Sequence, residues 1–166
     1  TDNLFPPRKS IESIYGQIVE DLTYDEANCY HKANVPQYGM VSSEAASALL
    51  AKVYLQRRST KAAVSTDAQS ALDECNKVIA YAKATSGSLG LVKNYGDLFD
   101  PDEKGVAAQE VIFNVEFGNP PNATNLTNRM FDPTGEGGYG SGIADDAYYG
   151  AYSTADSIRR RVVVGA

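Results

Sequence analysis

Four tyrosines, Tyr139, Tyr148, Tyr149 and Tyr152, crowd the carboxyl-terminal part of the chain, where six of the 14 glycines lie between Gly135 and Gly150. A tyrosine ring offers a flat apolar face and a polar edge, which suits stacking on a sugar ring and bonding to its hydroxyls. These four are the candidate ligand-binding residues, although half-buried packing is the ordinary role of a loop tyrosine. Tryptophan, the stronger stacking residue, is absent from the sequence.

Other residue types that do chemistry are sparse or poorly spaced. His31 is the single histidine, which excludes multi-histidine metal sites, and a lone histidine is ordinarily structural or exposed. Asp100-Pro101-Asp102-Glu103-Lys104-Gly105 echoes a calcium loop, but Lys104 stands at the fifth position and Val111 at the twelfth, where ligands belong. It reads as a turn. The sequence holds no Gly-x-Ser-x-Gly elbow, no phosphate-cradling loop and no dinucleotide fingerprint after a strand. Adjacent carboxylates such as Glu20–Asp21 or Asp145–Asp146 do not face one another on a helix. A glycosidase needs two carboxylates across a cleft, and with 21 acids present the sequence neither indicates nor excludes such a pair. The expectation is a non-enzymatic protein with no metal and no cofactor. Two glycosylation sequons, at Asn122 and Asn125, carry no weight because the pattern is short.

Bulk properties narrow the class. At 166 residues, 43% hydrophobic and 22% charged, the chain has the composition of a globular protein able to bury a core. A formal charge of −6 argues against nucleic acid, which needs a dense cationic face. The one basic run, Arg159-Arg160-Arg161, reads as solvated surface. No apolar run approaches the roughly 18–20 residues that cross a bilayer. The stretch TDNLFPPRKS lacks the layout of a signal peptide, which says nothing about destination. Cys29 and Cys75 are too few to define a disulfide framework, and their pairing is left open.

Three helices must position whatever chemistry exists. Ser10 is the expected N-cap of the first, which carries Ile11, Ile14, Tyr15, Ile18, Val19 and Leu22 at steps of three and four. The second runs from Ser42–Ser43 to about Arg58. Its sequence SEAASALLAKVYL places Ala46, Leu49, Leu50, Val53 and Tyr54 on one stripe, widened by Ala45, Ala48, Ala51 and Leu55. A helix so apolar around its circumference requires neighbours on more than one side. Thr66 and Gln69 predict a capping box for the third, whose stripe runs Ala68, Ala71, Leu72, Cys75, Val78, Ile79 and Ala82 before Ser86-Gly87. Glu110 to Phe117 alternates as one strand. Residues 118–142 read as loop, and a short helix is expected around Asp145–Tyr152.

These blocks together resemble the SusD/RagB family. Pro7-Arg8-Lys9-Ser10 with Ile14-Tyr15 and Ile18-Val19-Glu20-Asp21-Leu22 is similar to the entry of a central family helix. Val41 to Leu55 resembles its Ala-Ala-x-x-Leu-Leu-Ala-[Arg/Lys]-Val-Tyr-Leu helix. The run Ala71–Ala80, then Asn94-Tyr95-Gly96-Asp97-Leu98-Phe99, then Glu110-Val111-Ile112-Phe113 keeps the family order, so the resemblance spans residues 7 to 117. It implies a mostly α, TPR-like α-α superhelix (residues 1–117) with one short strand, followed by a loop-rich, incomplete SusD-like region (118–166). Alanines are then contact points between adjacent helices, Ala51 and Tyr54 matching the small-x-x-Tyr feature of a TPR first helix. The turn 59–65 is longer than a regular repeat allows. The implied function is capture of oligosaccharide or peptide for a TonB-dependent porin of the SusC type, at the extracellular face of the outer membrane. Family members carry a lipidated amino-terminal cysteine that this sequence lacks, so it reads as an internal fragment or a short relative. The rival expectation is a TPR-like interaction scaffold with no small ligand.

Overall fold

Capping decides where the first helix starts. In a computed structural model, Ser10 is extended and its Oγ accepts from the Ser13 backbone N–H at 3.2 Å. Glu12 stands in the first turn of α1 (Ile11–Asn28), near the positive end of the helix dipole. The residues described are 7–37, 39–99, 108–114, 134, 139–141, 146–153, 155–156 and 158–159, without the side chains of 146, 148 and 149. After α1 a short 3₁₀ turn, Lys32–Asn34, leads to α2 (Ser43–Arg58). Ser42 caps α2 by accepting from Ala45 N–H at 3.2 Å, and Arg57 and Arg58 complement the negative end.

The start of α3 (Asp67–Ala84) differs from expectation. Thr66 has helical backbone angles and no side-chain cap bond, so the predicted box with Gln69 does not form. Gln69 instead donates to Asp73 Oδ1 at 2.8 Å, and Asp67 Oδ2 accepts from Val64 N–H at 2.9 Å. The turn between α2 and α3 folds around buried Ala62. Beyond α3, Gly87 adopts a φ of 87°, a left-handed conformation that glycine reaches without a Cβ penalty.

The chain divides into two units, Thr1–Leu91 with Ala108–Asn114, and Val92–Ala107 with Val115–Ala166. In the first, α2 packs against α1 on one side and α3 on the other. Both packings are antiparallel. Ser43 Oγ donates to the Glu26 carbonyl near the end of α1, whereas Leu49 and Lys52, further along α2, share a groove with the earlier Leu22. Arg57 at the end of α2 pairs with Asp67 at the start of α3, whereas Glu44 shares a cleft with Tyr81.

The buried positions of α2 are Ser43, Glu44, Ala46, Ser47, Leu50 and Ala51. Apart from Glu44 they follow the i, i+3, i+4, i+7, i+8 rhythm of one face. Only Leu50 is large, and its burial contributes about 2 kcal/mol. Small side chains elsewhere on this face let the neighbouring helices approach. Among the described residues the other buried apolar side chains are Ala62, Ala71 and Leu89.

Large members of all three predicted stripes are not enclosed, Leu49 of α2 among them. α1 has no buried residue, and Ile14, Leu49, Leu72 and Ile79 are each about half exposed.

The predicted strand 110–117 is corrected where it is described. Residues 108–110 form a helical turn, 111–114 are irregular, and no strand occurs among the described residues; 115–117 lie outside them. Alternation alone makes no strand without a ladder partner. Here the carbonyls are taken otherwise: the Lys32 ammonium donates to those of Val111 and Ile112, and Gly90 N–H to that of Gln109 at 2.9 Å. In the second unit a 3₁₀ turn spans Tyr95–Leu98, and α4 (Asp146–Ala151) lies where the short helix was expected. The calcium-like loop, the sequons and most of the glycine-rich stretch fall outside the described residues.

Candidate functional site

The four candidate tyrosines lie in the second unit. Tyr139 is exposed and Tyr152 half-buried. Tyr148 and Tyr149 are consecutive on α4, and their side chains lie outside the described residues. Arg159, of the basic run, is mostly exposed and pairs with Asp156. That pairing raises the guanidinium and lowers the carboxyl from their ordinary values. Such an exposed pair is worth little.

A cleft of about 400 Å³ in the first unit has no signature in the sequence. It opens where all three helices meet. α1 contributes Glu26, Ala27 and Thr23; α2 its amino-terminal Ser43, Glu44 and Ser47; α3 Lys77, Val78 and Tyr81. His31, on the connection between α1 and α2, closes the rim.

The histidine is held firmly. Its Nδ1 lies 2.6 Å from Glu44 Oε1, and its ring stacks on Tyr81 with centroids 5.3 Å apart and planes 15° from parallel. The other oxygen of Glu44 accepts from Lys32 N–H at 2.8 Å, and Tyr81 Oη accepts from Ala33 N–H at 3.1 Å. These contacts fix the loop 31–34 over the start of α2. The imidazole nevertheless remains 61% exposed while the Glu44 carboxylate is only 5% exposed. His31 is therefore an exposed ring oriented by a buried acid.

Opposite it stands a second cluster. Lys77 Nζ donates to Glu26 Oε1 at 2.7 Å and to Glu74 Oε1 at 2.9 Å, and Ser47 Oγ donates to Glu26 Oε1 at 2.9 Å. Burial acts to raise the Glu26 carboxyl, but Lys77 and Ser47 outweigh it and hold it below the ordinary glutamate value. For Glu74, burial prevails and the carboxyl is pushed up, with the Glu26 charge adding to it. Among the described residues no donor reaches buried Glu74 Oε2, while the Glu74 and Glu26 carboxyls lie within hydrogen-bonding reach of one another. Burial would lower the Lys77 ammonium, but its two carboxylates overcome that and raise it.

A further concavity, of about 500 Å³, is mostly apolar. Leu22, Ala45, Leu49, Ile112 and Phe113 line it, with the Lys52 side chain at its edge. Among the described residues no group of three or more His, Cys, Asp or Glu side chains could hold a metal, and no helix is long and apolar enough to cross a membrane. Cys29 and Cys75 are both free thiols.

The cleft residues were individually visible. Glu44 reads as a first-turn acid satisfying the helix dipole, and Glu74 and Lys77 have the i, i+3 spacing of a surface pair. Their convergence depends on tertiary packing, which brings residues from 23 to 81 together. No known family, curated protein or solved structure matches the chain.

Proposed function

We propose that the chain is the TPR-like helical part, with an incomplete loop-rich region, of a SusD/RagB-type nutrient-binding lipoprotein. It captures an oligosaccharide or a peptide at the extracellular face of the outer membrane and delivers it to a TonB-dependent transporter, without catalysis. The observation that supports this reading is the enclosure of α2 between antiparallel sequence neighbours through Ser43, Ala46, Ser47 and Ala51. That is the role the resemblance gives to the alanine-rich helix. Stacking by Tyr139, Tyr148, Tyr149 and Tyr152 supplies the ligand contacts, and a lipid anchor outside this sequence holds the protein at the membrane. Calorimetric titration of the full-length protein with plant, host and bacterial glycans and with peptides tests the reading. Saturable binding is expected; silence across all of them refutes capture.

A second reading, an interaction scaffold with no small ligand, draws on the apolar groove around Leu49 and Phe113 and on the half-exposed Leu72 and Ile79 of α3. Surfaces of this kind mark contacts between proteins. Co-purification with a porin in the absence of any ligand binding favours it.

A further inference from the structure

The outer side of α3 carries an apolar pattern that its packing on α2 does not use. The helix turns Asp67, Ala71 and Glu74 inward, where they are buried. Beside that face run Ala68, Leu72, Cys75, Ile79 and Ala82, spaced alternately four and three residues apart. A period of 3.5 residues is that of a seam between two helices. The seam is open: Leu72 is 52% and Ile79 49% exposed, and Ala68 and Cys75 are exposed with them.

The pattern reads the same in both directions. About Cys75 it runs small, large, cysteine, large, small, so it complements a copy of itself laid antiparallel across a two-fold axis. The polar border favours the same orientation. On the side away from the buried face it consists of Gln69, Asn76 and Lys83. An antiparallel pair sets the exposed Lys83 of one copy beside Gln69 of the other, whose amide is bonded to the exposed Asp73 carboxylate at 2.8 Å. An ammonium then meets a carboxylate at both ends of the contact. A parallel pair would set Lys83 against Lys83, a like-charge juxtaposition that opposes binding. Lys77 does not interfere, because its ammonium is bonded to Glu26 and Glu74 on the other side of the helix.

We propose that α3 pairs antiparallel with α3 of a second copy of this chain, Leu72 of each copy packing towards Ile79 of the other and the two-fold axis passing near Cys75. Two large side chains per copy make a small core, so the pairing is of the weak, transient class. It rests on the interaction-scaffold reading for this face alone and names its partner. A monomeric chain that still co-purifies with a porin would sink the pairing and leave that reading standing, and glycan titrations bear on neither.

Sedimentation equilibrium of the whole chain under reducing conditions reads the pairing directly. Between about 10 µM and about 1 mM the mass should rise from 17.8 kDa towards twice that, with a Kd of about 0.1–1 mM. Leu72→Lys places a charge at an open position, so circular dichroism and melting should be unchanged while association weakens at least about tenfold. Lys83→Glu, which brings like charges together, should weaken it about threefold. Cross-linking reads the orientation. With Cys29→Ser, Cys75 is the single thiol, and a short bis-maleimide should join two copies, each thiolate adding across one maleimide double bond. Moving the thiol to the helix start, with Ala68→Cys and Cys75→Ser, sets the two reacting positions about 20 Å apart along an antiparallel pair, and the yield should fall at least about tenfold. The proposal is overturned if the chain stays monomeric at about 1 mM, if the folded Leu72→Lys variant associates unaltered, or if the Ala68→Cys variant cross-links as readily as Cys75.

Discussion

Replacing Arg57 by methionine isolates the ion pair that closes the α2–α3 turn. Asp67 is fully buried and the Arg57 side chain only 13% exposed. Arg57 Nε donates to Asp67 Oδ1 at 3.0 Å, and Nη2 donates to the same oxygen. Methionine keeps much of the packing volume but strands a buried carboxylate, for which about 3–5 kcal/mol is typical. Loss of the guanidinium over the Tyr54 ring, 5.2 Å from its centroid, removes a further ~0.5–1 kcal/mol. For a unit of this size each kcal/mol moves Tm by about 4–8 °C, so the variant should melt at least about 12 °C lower. Asp67→Asn combined with Arg57→Met should recover part of the loss, because no charge is then left unpaired. The pH dependence should also change sign. Arg57 holds the Asp67 carboxyl below its ordinary value of 3.8. In the parent, the contribution of the pair is therefore complete above that value and is lost as pH falls through the depressed one. Without Arg57, burial favours the protonated acid, and acidification should stabilise the variant relative to neutral pH. Urea unfolding across that range, with a constant m value, measures both effects. A cost below about 1 kcal/mol at neutral pH would place the pair among solvent-screened surface bridges and refute the reasoning.

Other substitutions test separate parts of the account. Ala46→Leu, adding volume between α2 and its neighbours, should cost about 1–3 kcal/mol in urea unfolding, whereas Leu72→Ala on the open face of α3 should cost less than about 1 kcal/mol. Ser42→Ala removes the cap of α2 and should lower stability by about 1 kcal/mol. Burial raises the Glu74 carboxyl, so the ionised form weakens the fold. The parent should lose stability as pH rises from the ordinary glutamate value of 4.5 through the raised one; Glu74→Gln should flatten that limb. On the capture reading, Tyr139→Ala should weaken glycan binding by about 1 kcal/mol, roughly fivefold, with Tm unchanged, and Tyr152→Ala should weaken it by a similar factor.

The helices were legible because their signals are local. Ser10 and Ser42 cap as their types and positions predict, and the period of α2 pointed to neighbours on two sides. Signals shared between elements were misread. Thr66 looked like a cap, yet Asp67 satisfies the turn because its partner, Arg57, comes from the preceding helix. Val111 and Phe113 alternate like a strand, but Lys32, some 79 residues away in sequence from Val111, takes the carbonyl that a ladder would need. The cleft was illegible for the same reason: His31 matters through Glu44 and Tyr81, and no spacing rule links those three.

Amide hydrogen exchange tests the central claim, that α2 is the inner layer between α1 and α3. The amides from Ala46 to Ala51 should be the slowest in the chain, opening only with global unfolding, and those of α1, which buries no residue, should exchange at least about tenfold faster. Equal or faster exchange in α2 would contradict the layered stack, and with it both the family resemblance and the cleft built on the start of that helix.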